Sequence, residues 1–116
     1  MHARLASLAI GWALVAAIAW LSLTPAPPQL ELEGGDKLGH LAGYGVLMFW
    51  FAQLYPRRLP WAAGFAAMGA AIELLQGWLG YRSFELYDML ANTAGVLLGW
   101  GAARLVGRRL GRRLFS

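Results

Sequence analysis

Eight polar residues stand within or beside the long apolar runs of this chain: Asp36, Lys37, His40, Glu73, Gln76, Arg82, Asp88 and Asn92. An ionisable group in hydrocarbon costs about 2.5–3.5 kcal/mol on insertion scales, so it normally faces a protein interior and a partner. The types present define the available chemistry. His40, Glu73 and Asp88 offer a base, an acid and an orienting carboxylate, or a proton relay. Lys37 and Arg82 suit a phosphate, the arginine by bidentate contact. Asp36, Gln76 and Asn92 can orient a ligand, as can Tyr44, one helical turn from His40. His and carboxylates also ligate divalent metals, but no tight pair such as HExxH is present, so no metal site is assigned. No cofactor is legible. No Ser accompanies His40 in a nucleophile motif. The chain has no Cys, which excludes disulfides, thiolate metal sites and Cys nucleophiles.

Each residue also has an ordinary structural role. Asp36 and Asp88 fit helix N-caps. Lys37 can snorkel to a membrane interface. Gln76 and Asn92 can bond between helices, and Arg82 can be a solvated loop charge. Glu73 lies deepest, and a structural pair with Arg82 or Lys37 is its plain alternative.

The elements that must position these residues follow from composition. Of 116 residues, 59% are hydrophobic and 14% charged, against roughly 45–50% and about 25% in soluble domains. Lipid is therefore the expected main solvent, and the six Trp fit an interfacial role. Four runs have the length of spanning helices: 5–23, 37–55, 60–79 and 86–106, followed by a basic tail over 107–116. Prolines after Leu23 and at Pro56 stop the first two, and Pro60 suits the first turn of the third. The first run is read as an uncleaved helix, since its 19 residues exceed a signal core of about 7–15. The expected fold is an all-α integral membrane four-helix bundle in a single domain, compact, with no large channel.

Charge sets the expected orientation. With both termini in the cytoplasm, Arg4, Arg57, Arg58, Arg104, Arg108, Arg109, Arg112 and Arg113 fall inside, and only Lys37 and Arg82 fall outside. All six acids fall in the outer half. The arginines past the last helix read as topology signals and anionic-headgroup contacts, not as a nucleic-acid surface. Alternating helix directions then bring all eight polar residues to the outer third of the membrane.

Small residues allow close helix approach in lipid. Stripes at steps of four are expected to pack the bundle: Ala91, Gly95, Gly99 and Ala103; Ala63, Ala67 and Ala71; Gly39 and Gly43.

On these residues the chain resembles the VanZ-like family, named after a teicoplanin-resistance accessory protein of bacteria. The resemblance runs through Ser22-Leu23-Thr24-Pro25, then Asp36-Lys37-Leu38-Gly39-His40 with Tyr44, then Ile72-Glu73-Leu74-Leu75-Gln76. It continues in Arg82-Ser83 with Asp88 and Asn92-Thr93-Ala94-Gly95. The chain departs from the family only in being minimal, with a short loop between the second and third helices. The resemblance implies a small multi-pass protein of the bacterial cytoplasmic membrane. It links the chain to envelope lipids and glycopeptide resistance without supplying a mechanism.

Three functions fit. One is binding or translocation of an anionic envelope lipid, such as a polyprenyl phosphate or a lipid-linked precursor. Transport by so small a bundle would imply a homo-oligomer or a larger complex. The second is a membrane-embedded hydrolase or transferase on the same substrate class. The third is a structural accessory subunit whose polar residues only register the bundle.

Overall fold

Lipid offers backbone N–H and C=O groups no partner, so an apolar chain must satisfy them internally, as helices or a closed barrel. The computed structural model describes residues 2–23, 35–79 and 86–107. They form four helices: α1 (His2–Leu23), α2 (Gly35–Leu54), α3 (Leu59–Leu79) and α4 (Leu86–Val106). The described residues contain no strand. α1, α3 and α4 are each long and apolar enough to cross a membrane. The apolar stretch of α2, Leu38–Leu54, is shorter. Its 17 residues span roughly 25 Å, the low end of what a bilayer core needs. α2 is also the helix most enclosed by protein. Tyr44, Leu47, Met48, Phe51, Ala52 and Leu54 are all buried.

Contacts between helices fix their directions. Ser7 and Gly11 of α1 meet Trp50 and Phe51 of α2, whereas Ile18 meets Gly43, so these two are antiparallel. His40, Gly45 and Met48 of α2 meet Asn92, Gly95 and Gly99 of α4 in the same order, so these two are parallel. Ser22 meets Gln76 and Trp12 meets Trp61, so α1 and α3 are parallel. One end of the bundle therefore holds the end of α1, the start of α2, the end of α3 and the start of α4.

The α2–α4 pair is held backbone to backbone. A methyl at Gly95 would collide with the Leu41 carbonyl, and one at Gly99 with the Gly45 carbonyl. A methyl at Gly45 would sit 3.3 Å from the Gly95 oxygen. The expected α4 stripe is thus in use, with Gly95, Gly99 and Ala103 all buried. The other two stripes are not. Ala63, Ala67 and Ala71 are exposed, because α3 buries Ala62, Phe65, Gly69, Glu73 and Gln76 instead. Gly39 touches nothing within 4 Å, and Gly43 makes only ordinary contact with Ile18. Gly45, flanked at four-residue spacing by Leu41 and Phe49, carries the contact instead.

The opposite end is aromatic and basic. Phe51 packs edge-on against Trp12 at 5.4 Å and Phe65 at 5.2 Å between centroids. Tyr55 stacks on Trp61 at 4.5 Å, and the Arg4 guanidinium lies 5.7 Å from the Tyr55 ring centre. The last carbonyls of a helix lack intrahelical partners. On α2 the Arg58 Nε–H donates to the Ala52 carbonyl at 3.2 Å, and the Arg4 Nη1–H to the Leu54 carbonyl at 3.3 Å. The Arg58 carbonyl also accepts the Ala62 N–H at 3.0 Å and so opens α3. Gly107, at φ 72°, closes α4 by donating its N–H to the Ala103 carbonyl at 2.8 Å.

Substitution of Gly99 by Ala is expected to destabilise the protein by about 1–3 kcal/mol, the range for an overpacked core. Substitution of Gly64 by Ala, into open space, should leave stability unchanged or slightly higher. Thermal unfolding of both variants in detergent measures the difference.

Candidate functional site

Each polar residue owes its burial to a particular helix face. On α3, Gly69, Glu73 and Gln76 fall at helical spacing and face inward. On α4, Asp88, Asn92, Gly95 and Gly99 share one face, and Gly95 and Gly99 press that face against α2. On α2, His40 and Tyr44 lie one turn apart on the side that meets α4 and α3. Burial is nearly complete: Tyr44, Glu73 and Gln76 are each 1% exposed, Asn92 2% and Asp88 5%.

Two hydrogen bonds tie the set together. His40 Nδ1 lies 2.8 Å from Asn92 Oδ1. With the amide in this orientation Nδ1 carries the proton, and in the neutral ring Nε2 keeps a lone pair. Asn92 reaches that position because residue 69 has no side chain. A Cβ on Gly69 would lie 2.9 Å from Asn92 Nδ2 and 3.1 Å from its Cβ. In the second bond the Gln76 Nε2–H donates to the Ser22 carbonyl. That carbonyl is in the last turn of α1, where helix carbonyls run out of intrahelical donors. Gln76 thus acts as a cap for another helix. Glu73 lies within electrostatic reach of the Tyr44 hydroxyl. The Tyr44 oxygen is buried and makes no hydrogen bond among the described residues.

Of the residues singled out from sequence, His40, Tyr44, Glu73, Gln76, Asp88 and Asn92 therefore gather at one end of the bundle. Arg82, and the side chains of Asp36 and Lys37, lie outside the described residues. Among the described residues no three His, Cys, Asp or Glu side chains converge as metal ligands. Sequence reasoning missed two contributors. The Ser22 carbonyl is a backbone group with no side-chain signature. Gly69 shares the inward face of Glu73, but nothing in the sequence shows that it receives Asn92.

A family model described as VanZ/LLP1 matches residues 5–107, nearly the whole chain. The chain belongs to the VanZ/LLP1 family. No curated protein and no solved structure gives a significant match. The VanZ/LLP1 match spans all four helices, so the polar end is part of the matched region.

Chemically, this end of the VanZ/LLP1 fold presents a ring nitrogen, a carboxyl-bearing face and a phenolic hydroxyl in an otherwise apolar bundle. Substitution of Gln76 by Ala removes its hydrogen bond to the Ser22 carbonyl. The expected loss is about 0.5–1.5 kcal/mol, the net worth of one hydrogen bond, read as a lower melting temperature in detergent.

Proposed function

We propose that this membrane protein binds an anionic envelope lipid or lipid-linked headgroup at its polar end, either as a carrier or as a step in translocation. The supporting observation is the near-complete burial of Glu73, Gln76, Asn92 and Asp88 together at one end of an apolar bundle. Burial of so many polar groups is costly and is retained where the groups meet a ligand or one another. In this reading Lys37 and Arg82 hold the phosphate, Gln76 and Asn92 orient the headgroup, and His40 with Glu73 relays a proton. A link to glycopeptide resistance would follow from action on a cell-wall lipid precursor.

The site is proposed to face the extracytoplasmic side of the bacterial cytoplasmic membrane. Arg4, Arg57, Arg58 and Arg104 lie at the end opposite the site, and basic residues favour the cytoplasmic side. The chain has no native Cys, so single engineered thiols report sidedness directly. An impermeant thiol reagent added to intact cells should label cysteines placed at Gly34 or Ser83 and miss one at Arg58. The reverse pattern would invert the proposal.

A second reading rests on the His40–Asn92 bond. A ring held by Nδ1 presents Nε2 as a base, as an acid–base hydrolase or transferase on a lipid-linked substrate requires. Substitution of Glu73 by Gln would abolish turnover in that case and leave binding largely intact.

Native mass spectrometry of protein extracted in mild detergent tests the binding reading. The expected result is a retained phospholipid or polyprenyl-phosphate adduct that is lost from Arg82→Ala and Glu73→Ala. A wild-type protein free of adducts, or adducts indifferent to both substitutions, would remove the basis for it and favour an accessory-subunit role.

A further inference from the structure

Tyr44 differs from His40 and Gln76. His40 bonds Asn92 and Gln76 bonds the Ser22 carbonyl. The Tyr44 hydroxyl, on a side chain that is 1% exposed, has no hydrogen-bond partner among the described residues. A buried tyrosine usually finds one. Phe would fill the same volume without the cost of an unpaired hydroxyl, so packing alone does not account for Tyr at this position. Glu73 of the neighbouring α3, 1% exposed, lies within electrostatic reach of it.

We propose that Tyr44 and Glu73 form a hydroxyl-recognition subsite, so that the anionic lipid taken by this protein carries a free hydroxyl on its headgroup. This deepens the binding reading above and rests on it. The two residues constrain what can sit between them. A phenol donates one hydrogen bond, and an ionised carboxylate only accepts. A phosphate oxygen can accept from Tyr44 but carries the same sign of charge as the carboxylate. An ammonium can donate to Glu73 but cannot accept the phenolic proton. A hydroxyl accepts from Tyr44 and donates to Glu73 at once. If Glu73 is protonated the same hydroxyl still pairs with both, by accepting from one and donating to the other. The subsite thus takes a glycerol- or sugar-type hydroxyl, and the phosphate lies elsewhere, toward the start of α2 and the end of α3.

The test compares two anionic probes that differ in the headgroup hydroxyl: phosphatidylglycerol, which has it, and phosphatidylmethanol, which does not. Full-length protein in detergent is titrated with each and scored by native mass spectrometry, beside the Tyr44→Phe variant. The wild type should prefer phosphatidylglycerol by about tenfold, the contribution of one buried hydrogen bond. Tyr44→Phe should abolish the preference, keep phosphatidylmethanol binding, and melt at the same or a higher temperature. Equal affinity of the wild type for the two lipids would overturn the subsite and leave the binding reading standing. So would an undiminished preference in Tyr44→Phe, as expected if Tyr44 holds only a buried water. A melting temperature lowered by several degrees in Tyr44→Phe would show that the hydroxyl serves the fold, and would also overturn it. Failure of the wild type to retain either lipid would overturn both the subsite and the binding reading.

Discussion

The backbone of α2 rests directly on the backbone of α4 at Gly45, Gly95 and Gly99, and the polar end of the bundle depends on that contact. Lipid supplies no hydrophobic drive for helix association, so close van der Waals approach must supply it. The approach also sets the polar geometry. His40 and Asn92 lie on these two helices, within a turn of the seam, and their 2.8 Å hydrogen bond requires the same short separation. Gly69 repeats the device on α3, where the missing side chain lets Asn92 lie against the helix. Missing side chains at four positions thus allow three helices to bring their polar groups together.

The two ends of the bundle are built differently. The arginine end is filled with interlocking rings, and the end of α2 there is capped by guanidinium groups. The polar end holds one bond between side chains, His40 to Asn92, one from Gln76 to a main-chain carbonyl, and a phenolic oxygen with no hydrogen-bond partner among the described residues. The two ends therefore differ in kind: rings and guanidinium groups at one, and a histidine, amides, carboxyls and a phenol at the other.

Much of this was readable in the sequence because lipid makes its constraints simple. Helix positions followed from apolar runs and prolines. The polar set stood out because each member violates the surrounding apolar pattern. Helix alternation then placed His40, Tyr44, Glu73, Gln76, Asp88 and Asn92 at one end. Close packing was harder. Ala63, Ala67 and Ala71 have the spacing of an interface, yet they face outward, since α3 turns its Phe65 and Glu73 face inward instead. Gly45 matches no small-residue spacing within its own helix and becomes important only against α4. Small-residue rules describe a helix alone, whereas which face is covered depends on the partner. The Gln76 bond to Ser22 was hidden for a related reason, because its acceptor is main chain.

The arginine caps on α2 have a consequence for how this family can vary. Arg4 and Arg58 belong to the charge pattern on which the proposed orientation rests, and they also complete the hydrogen bonding of a helix end. Membrane proteins of this size can reverse their direction in evolution by shifting a few positive charges from one side to the other. In this chain, moving those two charges would also leave the Ala52 and Leu54 carbonyls without their donors. Direction of insertion and integrity of the central helix are therefore inherited together. An inverted sibling of this protein would need new caps as well as new charges.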